Sequence, residues 1–251
     1  MTKKNLDILF FGAHPDDVEC SAAGMILRWV ETGLRIGIAD LTAGELGSRG
    51  TAQTRFDEAA AASAMLGLAA RANLGLPDGF LNPYDREAQL KIIQTIRKHK
   101  PRAVVVNALH DRHPDHAKAA DLVRQAAFLS GLIKIETVCE NGAPQKAHRP
   151  SQFWHYGQDY AVQPTVVIDI TPYMAKKLEV IGCYKTQFYQ PDECPSLPQT
   201  PISSPEIWDL FTARAAHYGR AIGVKFGEPL TSATPIALAN LFWMFNHNSK
   251  P

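Results

Sequence analysis

The sequence has few cysteines and almost no net charge, and each deficit excludes a class of protein. Its four cysteines, Cys20, Cys139, Cys183 and Cys194, form no Cys-x-x-Cys pair, which excludes a zinc ribbon or a thioredoxin-like motif. We expect reduced thiols in a cytoplasmic protein. The formal net charge of +1 gives no electrostatic basis for binding nucleic acid or an anionic membrane. The late apolar segment from Leu238 to Phe245 is far too short to cross a bilayer, so we expect no membrane span.

The chain also lacks the glycine motifs that bind phosphate groups. Its glycine-rich stretch from Thr42 to Thr51 has neither the lysine of a P-loop nor the spacing of a dinucleotide fingerprint. The 251 residues, 45% of them apolar and 20% charged, have an ordinary composition for a globular protein. We expect a single domain over 1–251, with a core in 1–130 and a C-terminal elaboration in 131–251.

Apolar strand candidates alternate with helix candidates over the first half of the chain. The strand candidates cover 6–12, 35–41, 72–76 and 103–107, and the helix candidates cover 21–30, 54–66, 84–98 and 117–129. This alternation predicts an α/β fold, a Rossmann-like three-layer sandwich with a mostly parallel sheet. The later part is less regular. It offers a strand at 165–170, helices at 172–184 and 206–219, and a loop at 191–205 with five prolines, which is either a lid or a disordered insertion.

Two similar polar motifs follow strand candidates and precede helix candidates. The first is His-Pro-Asp-Asp, which supplies His14, Asp16 and Asp17. The second is His-Pro-Asp-His, which supplies His113, Asp115 and His116. Ligands of open α/β sheets bind at the carboxyl ends of the strands, so we expect both motifs at one edge. Burying so many ionisable groups together is costly unless they serve a site.

These six side chains suit a metal-assisted hydrolase. A catalytic zinc takes three protein ligands and keeps a position open, which leaves three side chains for proton transfer. The mixture of histidine and carboxylate suits zinc, with iron and other divalent ions as alternatives. Spacing alone does not assign the ligands. A metal-dependent phosphoesterase and a non-catalytic carbohydrate-binding protein are the rival interpretations, although a phosphoesterase usually holds paired metals.

The two motifs, Gly-Ala-His-Pro-Asp-Asp and Arg-His-Pro-Asp-His, resemble those of the PIG-L/LmbE-like zinc N-deacetylases. The likeness extends over most of the chain, through the segments 50–55, 76–78, 148–150 and 184–188. Within that family the sequence is most similar to the bacillithiol-pathway deacetylases, which remove acetate from N-acetylglucosaminyl malate. The resemblance implies a small-molecule amino-sugar conjugate as substrate. Another N-acetylglucosamine-containing molecule is the nearest alternative.

The resemblance also implies a role for each position. His14, Asp17 and His116 would hold one Zn²⁺ per chain. Asp16 would be the general base, and His113 would protonate the leaving amine or stabilise the oxyanion, with Asp115 orienting it. The substrate contacts would be Arg55, Asp78 and Arg149.

The sequence departs from its relatives in one place that bears on the reaction. Relatives can carry a tyrosine near the start of the helix after the proline-rich loop, whereas this chain has Ser-Pro-Glu-Ile-Trp at 204–208. The oxyanion would then be held by another group, or by the metal and His113 alone.

The apolar segment from Ile236 to Phe245 favours either a contact in a homo-oligomer or packing on its own domain.

Overall fold

The computed structural model of the chain describes residues 5–191 and 198–235. Cys194, part of the predicted loop 191–205 and the apolar segment 236–245 lie outside the described residues. Within the described residues, the strands are β1 (Ile8–Gly12), β2 (Ile36–Thr42), β3 (Ala70–Leu76), β4 (Ala103–Val106), β5 (Gln152–Tyr156), β6 (Val166–Asp169) and β7 (Gly227–Thr231). The helices are α1 (Asp17–Glu31), α2 (Ala52–Leu66), α3 (Arg86–His99), α4 (Pro114–Leu129), α5 (Met174–Ile181) and α6 (Ile207–Ala221). None of these helices combines the length and the apolar character that a bilayer crossing requires.

The described strands form a single mixed sheet in the order β3-β2-β1-β4-β5-β7-β6. The first five strands in this order run parallel, whereas β7 is antiparallel to both of its neighbours. The predicted α/β fold with a mostly parallel sheet is therefore confirmed. The strand order reverses between β1 and β4, so a crevice opens beyond the carboxyl ends of these two strands.

Helices cover both faces of the sheet. Apolar side chains of α1, α2, α5 and α6 pack together on one face, and those of α3 and α4 pack on the other. The central strand β1 is buried on both sides, with Phe10 facing the first layer and Phe11 the second. This burial explains the continuous apolar run of β1, since a strand covered on both faces does not alternate.

The sequence prediction missed β5 and β7. The segment Gln152–Tyr156 mixes aromatic and polar residues, and Gly227–Thr231 contains Pro229, which usually argues against a strand between two neighbours. The two strands bring the C-terminal part of the chain into the same sheet as the core.

Two helices begin earlier than the sequence suggested, and both shifts affect the polar motifs. Helix α1 starts at Asp17 rather than near residue 21, and α4 starts at Pro114 rather than at 117. Proline is favourable at the first position of a helix, and the His113 Nδ1 atom accepts a hydrogen bond from the Asp115 amide at 3.2 Å, which caps α4. Asp17 and His116 therefore lie in the first turns of their helices.

A buried ion pair joins the antiparallel end of the sheet to the first helix. The Lys177 ammonium on α5 lies 2.6 Å from a Glu228 carboxylate oxygen on β7. The Glu228 carboxylate also accepts hydrogen bonds from the backbone amides of Gly24 and Met25 on α1, at 3.0 and 2.6 Å. Both charged side chains are buried, so each depends on the other for compensation.

We expect Lys177→Met to lower the free energy of unfolding by about 3–5 kcal/mol, because it leaves the Glu228 carboxylate buried without its cation. The double variant Lys177→Met/Glu228→Gln should recover part of this loss. Urea unfolding measures both, with Lys176→Met as the control, since Lys176 is exposed and its pair with Glu179 should contribute about 0.5 kcal/mol or less. A Lys177→Met variant as stable as the control would contradict this account.

Candidate active site

A cavity of about 290 Å³ lies at the carboxyl ends of β1 and β4. Both His-Pro-Asp motifs reach it, as does the glycine-rich loop after β2. Its wall combines ionisable groups with apolar side chains from the C-terminal part of the chain. The lining includes His14, Asp16, Asp17, Arg55, Asp78, His113, His116, Gln158, Phe188, Ile202, Ile207, Phe211 and Arg214.

Two histidines in this cavity each have one ring nitrogen held by a carboxylate. His14 Nε2 lies 2.9 Å from Asp78 Oδ1, and His116 Nδ1 lies 2.9 Å from Asp111 Oδ2. The other nitrogen of each ring faces Asp17, at 3.6 Å for His14 Nδ1 and at 3.2 Å for His116 Nε2. A carboxylate on the remote nitrogen is the arrangement that orients histidines toward a metal ion.

Asp17 lies between the two histidines and is almost fully buried, with 3% of its surface exposed. Its Oδ2 atom accepts hydrogen bonds from the His14 amide at 2.9 Å and from Asn107 Nδ2 at 3.0 Å, and its Oδ1 atom accepts one from Gln158 Nε2 at 2.7 Å. Burial would raise the pKa of Asp17, but His116 and His14 together outweigh burial and hold the pKa well below its usual range. The contact with Asp17 raises the pKa of His116 to about 9 against the opposing effect of burial.

The side chains fit a divalent metal by their chemistry and by their spacing. Ring nitrogens of His14, His113 and His116 lie within 4.8 Å of one another, and Asp17 contacts two of these rings. His14, Asp78 and Asp115 form a second close group. Imidazole nitrogens with one carboxylate are the donors of catalytic zinc sites. If His14 and His116 are two of the ligands, both His113 and Asp17 lie close enough to be the third.

Asp16 diverges from Asp17 and pairs with Arg55. Asp16 has a left-handed backbone, with φ of 108°, which is uncommon for a residue other than glycine and occurs often at functional sites. Its Oδ2 atom lies 2.7 Å from Arg55 Nη2. Burial raises the pKa of Asp16 to about 7, with the Arg55 charge opposing that shift and the Asp17 charge adding to it.

His113 stands at the edge of the cavity with one nitrogen engaged. Its Nδ1 atom accepts from the Asp115 amide, so Nε2 is the nitrogen that carries a proton in the neutral ring. Burial and the charges of His14 and His116 lower the pKa of His113. The Asp115 carboxylate contacts a different group: its Oδ2 accepts from the Gly79 amide at 2.6 Å. Asp115 thus contacts His113 through its backbone.

The three predicted substrate contacts have different surroundings. Asp78 lines the cavity, but its carboxylate already contacts His14 Nε2 and accepts from the Leu46 amide, at 2.9 Å each. Burial would raise the pKa of Asp78, but these bonds outweigh it and lower the pKa to about 2. Arg55 is 6% exposed and also bonds the carbonyls of Pro15 and Gly44. Arg149 stacks on Phe128 near the opposite end of α4 and bonds its carbonyl, so the structure does not bring it to the cavity.

Sequence reasoning missed several residues that hold the site together. Asp111 lies inside the second polar motif and could have been found there, since an acid next to paired histidines is a candidate partner for a ring nitrogen. Asn107 and Gln158 gave no signal, because isolated amides belong to no motif. Arg214 comes from α6 and borders the cavity, as does Ile207 at the start of the same helix.

Three comparisons connect this geometry to known proteins. The family described as PIG-L, GlcNAc-PI de-N-acetylase, matches residues 9–127, a range that contains both polar motifs. The diacetylchitobiose deacetylase of Thermococcus kodakarensis is 26% identical over 233 residues, which cover 88% of this chain and 80% of that protein.

Two solved structures share the fold. The conserved protein TT1542 from Thermus thermophilus is 32% identical, with a TM-score of 0.81, over 94% of this chain and 98% of that one. GalB, the 4-carboxy-2-hydroxymuconate hydratase of Pseudomonas putida KT2440, is 21% identical, with a TM-score of 0.73, over 95% of this chain and 99% of that one. The second similarity concerns the fold alone, because one fold can carry different reactions. From the matched family, the relatives and the shared fold, the chain belongs to the PIG-L/LmbE-like deacetylase family.

Proposed function

We propose that the protein is a zinc-dependent N-deacetylase of an N-acetylglucosaminyl conjugate, with N-acetylglucosaminyl malate of bacillithiol biosynthesis as the leading substrate. One observation carries this proposal: two carboxylate-held histidines face Asp17, and the Asp16 carboxylate stands beside this group in the same cavity. Membership in a family of deacetylases supports hydrolysis of an N-acetyl group.

We assign the metal to His14 Nδ1, the Asp17 carboxylate and His116 Nε2. Asp78 and Asp111 then orient the two histidines from behind, which would give Asp78 a role in the metal site rather than in substrate binding. A bound zinc would polarise the amide carbonyl and lower the pKa of the attacking water.

Asp16 is the general base in this proposal. A carboxylate with a pKa of about 7 can accept the proton of the attacking water near neutral pH. A general base is most efficient when its pKa lies close to the pH of the reaction. The Arg55 guanidinium holds this carboxylate from the side of α2. Arg55 would therefore act on the base, and its contact with substrate would be limited to the part of its side chain that lines the cavity.

His113 would stabilise the oxyanion. Its Nδ1 accepts from the Asp115 amide, so the ring is neutral and its Nε2–H can donate a hydrogen bond to the developing oxyanion. The proton that the amine nitrogen needs as the carbon–nitrogen bond breaks would come from Asp16, which takes it from the attacking water. Because the Asp115 amide at the start of α4 donates to Nδ1, the neutral His113 ring carries its proton on Nε2.

The rim of the cavity supports a substrate with carboxylates. Arg112 Nε lies 3.0 Å from Asp159 Oδ2, and Arg214 Nη2 lies 3.8 Å from Asp159 Oδ1. Two guanidinium groups therefore share one carboxylate and leave a net positive charge, which suits the carboxylates of malate.

The thiols of Cys20, Cys139 and Cys183 are free, which supports a cytoplasmic location.

The deciding experiment is to incubate the zinc-loaded protein with N-acetylglucosaminyl malate, N,N′-diacetylchitobiose and N-acetylglucosamine, and to measure the released amine. We expect the malate conjugate to have the highest kcat/KM. Preference for diacetylchitobiose would retain deacetylation and replace the substrate. Two metals per chain by elemental analysis, with phosphate ester hydrolysis and no amine release, would overturn the proposal in favour of a phosphoesterase.

Asp16→Asn should keep its zinc and lose activity by about a hundred- to ten-thousand-fold, because the amide has the shape of the carboxylate but cannot accept a proton. Zinc content and turnover are to be measured beside those of Asp17→Asn, which should lose metal. If Asp16→Asn were metal-free while Asp17→Asn kept its zinc, the two roles would be reversed.

The two histidines of the second motif separate the alternative ligand sets. His116→Ala should lose both metal and activity because it removes a ligand, whereas His113→Ala should retain about one zinc per chain and lose turnover. Elemental analysis of dialysed protein together with the deacetylase assay measures both. Stoichiometric zinc in His116→Ala, with loss in His113→Ala, would assign the metal to His113.

A further inference from the structure

Two buried amide side chains meet the Asp17 carboxylate from the ends of neighbouring strands. Asn107 directly follows β4, and Gln158 lies shortly after β5. Asn107 Nδ2 donates to Asp17 Oδ2 at 3.0 Å, and Gln158 Nε2 donates to Asp17 Oδ1 at 2.7 Å. Asn107 is 0% exposed and Gln158 is 8% exposed, so neither bond competes with bulk water.

The direction of both amides is fixed by a chain of hydrogen bonds that begins at the backbone. The Ala13 amide donates to Asn107 Oδ1 at 3.0 Å, so the nitrogen of that side chain must face the other way. The second Asn107 Nδ2 proton goes to Gln158 Oε1 at 3.0 Å, which turns the Gln158 nitrogen toward Asp17. A backbone donor in the turn after β1 therefore determines that two amide donors, and no amide acceptor, face the carboxylate.

The hydrogen bonds also decide how many acceptor positions Asp17 retains. A carboxylate has about four lone-pair positions. Oδ2 accepts from the His14 amide and from Asn107, which uses both of its positions. Oδ1 accepts from Gln158 and keeps one position, on the atom that lies 3.2 Å from His116 Nε2.

We propose that Asn107 and Gln158 are positioning residues that limit Asp17 to a single metal–oxygen bond through Oδ1. This inference rests on the proposed function, since it takes Asp17 as a metal ligand. The amide pair holds the carboxylate plane, and Asn107 together with the His14 amide occupies the positions on Oδ2 that a second metal–oxygen bond would need. A monodentate carboxylate keeps the coordination number low and leaves a position for water and the substrate carbonyl.

Gln158→Met tests the proposal, because methionine has nearly the length of glutamine, carries no charge and donates no hydrogen bond. We expect the Zn²⁺ dissociation constant, measured by competition with a chromogenic chelator, to rise about 10- to 100-fold, as is typical for loss of a group that holds a metal ligand. The matched control is Gln187→Met. Gln187 is similarly buried, and its amide donates to the Arg49 carbonyl and to the Thr186 hydroxyl instead.

Replacement of zinc by Co²⁺ gives a readout of coordination number. The visible d–d bands of the wild-type Co²⁺ protein should be more intense than those of Asn107→Leu. Loss of the Asn107 Nδ2 donor frees a position on Asp17 Oδ2, which allows a second metal–oxygen bond, and higher-coordinate cobalt absorbs more weakly. A zinc dissociation constant in Gln158→Met that equals that of Gln187→Met, with unchanged cobalt bands in Asn107→Leu, would overturn the inference. Failure of the wild type to bind zinc would instead overturn the proposed function.

Discussion

The Asp17 carboxylate is the contact on which the geometry of the cavity depends. It joins the turn after β1, through the His14 amide, to the ends of β4 and β5, through Asn107 and Gln158. It also faces His116 in the first turn of α4. These segments are distant in sequence, and only the parallel arrangement of β1, β4 and β5 brings their carboxyl ends to one edge. A change in strand register would therefore move the donors away from Asp17 together with the buried side chains of the strands.

Each ionisable group at this edge is buried with a partner of opposite character, which is how the fold tolerates so many of them. Asp78 contacts His14, Asp111 contacts His116, and Asp16 contacts Arg55. The first and third of these contacts join segments that are distant in sequence, whereas Asp111 and His116 belong to the same motif. The electrostatic pairs thus reinforce the arrangement that the sheet creates at this edge, and apolar side chains from the C-terminal part of the chain complete the cavity wall.

The sequence was most informative where the chemistry is local. His14, Asp16, Asp17, His113 and His116 could be placed at one edge because both motifs follow buried strands of a parallel sheet. The partners could not, because Arg55 reaches Asp16 across 39 positions and Gln158 reaches Asp17 across 141. The strands β5 and β7 were missed for a related reason: Pro229 and the mixed polar residues of β5 become regular only through pairing with neighbours that are remote in sequence.

Asp16 and Asp17 are adjacent, so the backbone conformation at this point determines where each carboxylate lies. The left-handed conformation of Asp16, just before α1 begins, sends its side chain to Arg55 while Asp17 turns to Asn107 and Gln158. Their pKa values consequently move apart. Burial raises the pKa of Asp16 to about 7, whereas His116 and His14 together outweigh burial at Asp17 and hold its pKa well below the usual range. Such divergence between two neighbouring acids separates a group that can exchange protons from one that stays ionised. A strained turn of two residues thereby supplies both kinds of carboxylate to one cavity.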